Sequence, residues 1–461
     1  RSLARERGAP LAHRHPLCSD CCHRDDVRAS STEGCGVTAS GDASLLHDET
    51  VEHRGRRTSL TLERVSTLAS GLVFVSIATA MTLAATVLII PVLGTEIVGF
   101  DFRGTLWDPA IAIRNGVSPY PEPVRAEIAV GNPALYPPLL MLLAVPLTLL
   151  PWSVGLAVWT VFGMAAIVGA LAALNVRDPR CYVIALVSLP VVAGLQWGNA
   201  TLLLVPLVAL AWRWRDSWAR SGALVGLAIA SKLILWPLVI WLLATRRYRA
   251  ACLAGGSTTA FIVVPWGVIG FDGLTAYPDV LRVAEKVYAT HSFSVATVFA
   301  GLGFGSVQAT LIALSVGVAV TSLAFVAGRA GADTVSIALA VFAATLGSPI
   351  VWQYYYALLL VPIAIVRPRF SGLWTALGLF YLARLLPRES LTLADVAPTG
   401  SLPRPHGIPS AIWIFNNSPP ALWPALGYLA VACLAITSIV VSAHGASAPT
   451  AWRRTIPHRA T

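Results

Sequence analysis

Charge is what this chain lacks. Of its 461 residues only 12% are Asp, Glu, Lys or Arg, about half the share of an ordinary globular domain (roughly 25%). Hydrophobic residues make up 56%, and mean hydropathy is +0.69. So few charges cannot cover the surface of a soluble fold of this length, so most of the chain must face lipid. Lysine is almost missing: the 33 basic residues include only Lys232 and Lys286. A formal charge of +10 would suit nucleic acid. The arginines, however, are spread over the tails and short loops with no compact basic domain, which is the distribution of cytoplasmic anchors on a membrane protein; no nucleic acid is expected. Acidic residues are missing from the middle of every apolar run, and no inverted repeat is visible. Both absences argue against an ion-coupled transporter. The signatures of soluble enzymes are missing too: no nucleophile elbow, no HExxH, no P-loop and no dinucleotide fingerprint. No metal site is expected, because Cys18, Cys21, Cys22 and Cys35, near His13, His15 and His23, lack a good second pair of ligands for zinc.

What is present is a succession of apolar runs. Residues 1–65 are polar and aperiodic and read as a disordered N-terminal region. Residues 66–444 read as one multi-spanning membrane domain, and 445–461 as a cytoplasmic tail. A basic cluster through Arg54, Arg56, Arg57 and Arg64 precedes the first run, Ser66 to Gly94, and sets the N-terminus inside. Arg177/Arg180, Arg213/Arg215/Arg220, Arg246/Arg247/Arg249, Arg329, Arg367/Arg369 and Arg453/Arg454 then mark further cytoplasmic loops. The alternation predicts an all-α polytopic membrane protein of about twelve transmembrane helices, with one of thirteen apolar runs re-entrant or interfacial. Long loops at 95–135, 272–304 and 387–418 fall outside, and they hold Asp101, Asp108, Glu122, Glu127, Asp272, Asp279, Glu285, Glu389 and Asp395. Several runs are shorter than the roughly 20 residues a span needs. Chemistry is therefore expected at the outer face of the plasma membrane.

The residues that could carry it are few. Asp101 follows the first span, where a carboxylate can serve as general base for an acceptor hydroxyl. Asp108 precedes Pro109 and a helix-like stretch ending at Gly116, so it reads first as an N-cap. Lys232 interrupts the apolar stretch LAIASKLILWPL. It is either a snorkelling residue at a span end or a cation for a phosphate. Gln196, Trp197 and Asn199 form a polar bend that is either an interfacial turn or a sugar-binding element. His291, in ATHSFSV, reads more readily as a surface residue than as a catalyst. Trp352, Gln353, Tyr354, Tyr355 and Tyr356 crowd one helix start, as an aromatic belt or as a platform for sugars and polyprenyl chains.

Taken in order, these motifs resemble glycosyltransferase family 87. The resemblance rests on the DFR…W…G-x-SPY pattern from Asp101 to Tyr120, YPP at Tyr136–Pro138, the Gln-x-x-Asn turn at Gln196–Asn199, Ser231–Lys232 and SPIVW at Ser348–Trp352. It covers about 66–443. It implies a membrane-embedded GT-C enzyme, similar to the polyprenyl-phosphate-mannose-dependent alpha-mannosyltransferases of actinobacterial cell envelope biosynthesis. The implied reaction moves a sugar, mannose in the type enzymes, from a polyprenyl-phosphate donor to a glycolipid or polysaccharide acceptor by a single inverting displacement. Asp101 matches the family's catalytic base, with Asp108 the alternate. Lys232 and Arg103 would meet donor phosphate, while Gln196, Asn199, Tyr136, Trp352, Tyr354 and His291 would line the sugar and acceptor side. The family often has a His where this chain has Tyr354, a side chain that can hydrogen-bond but carries no charge. No cofactor or metal is implied. The competing reading is a lipid-linked-sugar flippase or a secondary transporter.

Overall fold

A computed structural model describes residues 98–123, 128, 133–386 and 421–447. The chain divides into Arg1–Thr67 and Leu68–Thr461, and every described residue belongs to the second unit. The expected first span at 66–94, the acids Glu127, Glu389 and Asp395, the 387–418 loop, the N-terminal cysteines and the 453–454 arginines lie outside the described residues.

Among the described residues every regular element is helical and there is no strand. Proline sets several of the starts, because its missing N–H is harmless in a first turn. This holds for α1 (Asp108–Arg114), α2 (Pro138–Ala144), α4 (Pro179–Val187), α5 (Leu189–Trp197) and α8 (Pro237–Ala244). Between and after them run α3 (Trp152–Ala173), α6 (Thr201–Arg213), α7 (Trp218–Ser231) and α9 (Tyr248–Val268). The remainder comprises α10 (Tyr277–Tyr288), α11 (Val295–Gly301), α12 (Ser306–Arg329), α13 (Asp333–Leu346), α14 (Leu360–Val366) and α15 (Leu422–Ser447).

Among the described residues, four helices are long and apolar enough to cross a bilayer: α3, α9, α12 and, within α15, Leu422–Ala443. The pair α4 and α5 makes a fifth if it counts as one span bent by 56°. The bend falls at Ser188, whose extended backbone ends one helix just before Pro190 opens the next. The remaining apolar runs among the described residues fold into shorter pieces. The 136–150 run, for example, becomes α2 followed by a 3-10 turn at Val145–Leu149.

The arginine-marked loops meet one another. Arg180 and the backbone N–H of Phe370 both donate to Asp178, at 2.8 Å and 3.1 Å, joining the loops at 177–180 and 367–371. Arg213 reaches the carbonyl of Ala173, Arg215 and Arg247 share Asp333, and Arg329 donates to the Tyr248 hydroxyl. These contacts gather at the C-terminal end of α6 and the N-terminal end of α7. The opposite ends of the same helices carry Thr201 and Lys232. One helix length, about 20 Å, thus separates an arginine pole from the pole holding the candidate chemistry.

Asp178 makes a test of the arginine pole. Its hydrogen bonds from Arg180, ahead of those from Phe370, hold its carboxyl below the usual carboxylate range. A depressed folded pKa adds stability above the unfolded value, near 4, and that stability is lost as pH falls through the folded one. Asp178→Asn should therefore unfold at lower temperature than wild type at pH 6, with the gap closing as pH drops below about 4. Thermal melts across that range would check it; a gap that stays constant with pH would contradict it.

Candidate active site

Asp101 is seated by aromatic packing. It belongs to a single helical turn, Phe100–Phe102, that runs through a π turn at Arg103–Trp107 into α1. Phe102 is fully buried and stacks on Trp159 (4.7 Å between centroids) and Trp152 (5.7 Å) of α3. Trp107 meets Trp152 edge-on at 5.2 Å, and Gly155 leaves room for that indole. Such pairs contribute about 0.5–1.5 kcal/mol each beyond burial. They carry the helix straight through Asp108-Pro109. Asp108 is therefore not the expected N-cap: no side chain caps α1, and the π turn takes up the misfit that Pro109 creates in a continuing helix. Gly116, in the left-handed region at φ 71, does end the helix as expected, with Val117 N–H bonded back to the Ala112 carbonyl.

The second component is the turn after α5. Gly198 has φ 67, and a Cβ there would lie 2.7 Å from Cβ of Phe102. Its carbonyl accepts from Trp159 Nε1 at 2.7 Å, while Gly99 N–H donates to the Gln196 carbonyl at 2.7 Å. The glycine thus answers both a backbone requirement and a close approach, and the approach brings Asn199 against Asp101. Gly198→Ala adds a left-handed penalty of about 1–2 kcal/mol to a steric clash. It should lower the melting temperature and separate the two segments, which a melt beside an activity assay would show. An unchanged melt would mean the turn is not held this tightly.

From Asp101 a continuous chain of hydrogen bonds reaches Lys232. Asn199 Nδ2 donates to Asp101 Oδ2 at 2.8 Å and lies 3.2 Å from the Tyr136 hydroxyl oxygen, to which it also donates. Asn199 Oδ1 accepts from the Thr201 backbone N–H at 2.9 Å and from its hydroxyl at 2.6 Å. With its proton so placed, Thr201 Oγ1 accepts from Lys232 Nζ at 2.9 Å. Lys232 itself ends α7 in extended backbone. It does not snorkel. The residue is 5% exposed and its ammonium sits 3.5 Å from the centroid of the Tyr355 ring, with Tyr136 at 5.3 Å and Tyr354 at 5.9 Å. A desolvated cation over an aromatic face gains about 2 kcal/mol. Tyr354 closes over the same cluster beside the ammonium.

The structure thus brings together Asp101, Tyr136, Asn199, Lys232 and Tyr354. Gln196 adjoins them through its backbone, and its Oε1 is buried with no donor among the described residues. Arg103 and Asp108 go elsewhere: they face each other at 3.7 Å on an exposed surface, with Arg103 over Trp152. Burial raises the Asp108 pKa, and Arg103 offsets part of that rise. His291 is buried rather than on the surface, at the end of a 3-10 turn, Ala289–His291. The following segment is fastened to SPIVW: Phe293 N–H donates to the Val351 carbonyl at 2.7 Å and Ser294 Oγ to that of Pro349 at 2.8 Å. Trp352 packs edge-on to Tyr288 and Phe293 in the same wall. Tyr120, of the SPY motif, stacks on Trp266 and donates to the Tyr136 carbonyl at 2.9 Å, which fixes Tyr136 from behind.

Sequence reasoning passed over Thr201 and gave Tyr355 no role of its own. The signal for Thr201 was present, since Asn-x-Thr at a helix start is the pattern of an Asx turn that also offers a hydroxyl.

Comparison with known proteins adds the remaining findings. The model of glycosyltransferase family 87 matches residues 134–352. That stretch includes Tyr136, Gln196, Asn199, Lys232, His291 and Trp352 and stops short of Tyr354, while Asp101 lies ahead of it. Among curated proteins the chain is 26% identical over 164 residues to the polyprenol-phosphate-mannose-dependent alpha-(1-2)-phosphatidylinositol pentamannoside mannosyltransferase of Mycolicibacterium smegmatis. The match takes in 34% of this chain and 40% of that protein, so the chain spans about two fifths of the relative's length. No solved structure matches.

Proposed function

Residues 134–352 place the chain in glycosyltransferase family 87, and from that premise we propose that it is an integral membrane glycosyltransferase. It moves a sugar, by our reading mannose, from a polyprenyl-phosphate donor to a glycolipid or polysaccharide acceptor. The active site opens on the extracytoplasmic side of the plasma membrane, on the first external loop of a fold of about twelve spans. The observation that carries the reading is the hydrogen-bonded chain from Asp101 through Asn199 and Thr201 to Lys232. It ties a base candidate outside the family-matched stretch to a cation inside it.

The displacement follows from these groups. The acceptor oxygen attacks the anomeric carbon as its proton passes to the Asp101 carboxylate, which Asn199 holds in place. The bond from the anomeric carbon to the phosphate oxygen breaks on the opposite face, inverting the centre. The polyprenyl phosphate leaves as a stable anion, and Lys232 stabilises the charge that develops on it. Arg103, on its exposed surface, serves at most in the approach of the donor. No metal or cofactor takes part in this scheme.

The test is to incubate membranes bearing the protein with labelled polyprenyl-phosphate mannose and candidate glycolipid acceptors. Transfer of label with inversion is the expected result. Absence of transfer, together with flux of the lipid-linked sugar across sealed vesicles, would replace the enzyme by a flippase.

A further inference from the structure

The arginine pole contains a cavity of about 450 Å³ that the transfer reaction does not use. Its lining includes Arg215, Trp218, Arg246, Arg247, Tyr248 and Arg249, with Asp216 beside them. Two of the four guanidinium groups are committed: Arg215 lies on the Trp212 ring and near Asp333, and Arg247 Nη2 bonds Asp333 at 2.8 Å. The remaining capacity is unspent. Arg246 and Arg249 are exposed and have no side-chain partner among the described residues. Arg247 Nη1 is buried with no acceptor. The uncapped N-terminus of α9 begins at the same place, adding its partial positive charge.

Arg246 is informative in another way. It ends α8 at φ 61, with Arg246 N–H bonded to the Leu243 carbonyl and Arg247 N–H to that of Leu242. This is the helix-terminating position where glycine is favoured. An arginine there carries a backbone penalty that its own packing does not repay, so its side chain is the reason to look for a ligand.

The cavity lies where α9 begins and α12 ends, the matching ends of two helices long enough to cross a bilayer. Trp218 and Tyr248 are half exposed at that level, as aromatic residues are at a headgroup layer. Excess guanidinium, free helix N–H groups and flanking aromatics at a span end match the phosphate of an anionic lipid. We propose that this cavity binds the phosphate of an anionic phospholipid headgroup, at the pole opposite Asp101 and Lys232. The proposal rests on the reading of α9 and α12 as spans and is independent of the glycosyl-transfer reading.

Native mass spectrometry of the full chain in neutral detergent, titrated with phosphatidylglycerol or phosphatidylcholine, tests it. Wild type should hold a first equivalent of phosphatidylglycerol roughly tenfold more tightly than phosphatidylcholine, a difference of about one charge-assisted hydrogen bond. Arg246→Gly with Arg249→Gln should abolish that preference without lowering the melting temperature, because glycine suits the φ 61 position. Arg282→Gln, which removes an arginine paired with Asp279 away from the cavity, should keep it. Equal phosphatidylglycerol retention by wild type and the double variant would overturn the site. Displacement of the lipid by inorganic pyrophosphate at comparable concentration would assign the cavity to a soluble anion instead. Loss of the preference in Arg282→Gln as well would reduce the effect to net charge.

Discussion

Asp101→Asn should lower the rate of sugar transfer by about 10²–10⁴-fold, the range for loss of a positioned general base. The protein should still fold. The amide has the shape of the carboxylate, and its oxygen can accept the Asn199 hydrogen bond that Oδ2 accepts at 2.8 Å. Because proton transfer occurs only on the way to the transition state, kcat and kcat/KM should fall together while the donor KM stays near wild type. Asp108→Asn is the control. Its carboxylate is 55% exposed and faces Arg103 at 3.7 Å, an interaction of the kind that contributes about 0–1 kcal/mol. Transfer by that variant should stay within about fivefold of wild type. The measurement is initial rate at matched protein levels, from labelled polyprenyl-phosphate mannose. An inactive Asp108→Asn beside an active Asp101→Asn would move the base to Asp108.

The contrast between these two aspartates shows how far the sequence could be read. The level of the candidate residues was legible from the basic loops and the alternation of the runs, although Asp178, Asp216 and Asp333 sit among the arginines. Asp101, Asn199, Lys232 and Tyr354, assigned to one level on that ground, do meet, and the arginine loops meet one helix length away. What could not be read is direction within a level. Arg103 is two residues from Asp101, and a turn of helix sends it to solvent while Asp101 is buried. Periodicity also cannot separate an apolar run that crosses a bilayer from one that packs as a short helix against other protein. Among the described residues, four or five long helices and a set of short ones therefore stand where the pattern suggested about twelve spans, several of them short. Thr201 escaped notice for a related reason. A hydroxyl gains its importance from the ammonium 2.9 Å away, supplied by a residue 31 positions later.

Lys232→Met should separate catalysis from stability. The substitution keeps an unbranched side chain of similar length and removes the charge. Removing a buried ammonium relieves a desolvation cost of several kcal/mol, which offsets the loss of its attraction to Asp101. Here the ammonium is also held by Thr201 Oγ1 and by the Tyr355 ring at 3.5 Å, so the melting temperature should stay within a few degrees of wild type. Transfer should nevertheless fall by about 10²–10³-fold, the usual cost of removing one donor aimed at developing charge. Lys232→Arg should not restore it. A planar guanidinium cannot take the place of a point charge fitted between a hydroxyl at 2.9 Å and an aromatic face at 3.5 Å. Thr201→Val should cause a smaller loss in transfer and a larger loss in melting temperature, because it takes the hydrogen bond of Lys232 away and leaves Asn199 Oδ1 with the backbone N–H of residue 201 alone. Melts and transfer rates on the three variants decide the matter jointly. Should Lys232→Met melt early and turn over normally, the lysine would be a strut for the Asn199 turn, and the phosphate would have to be met by another cation.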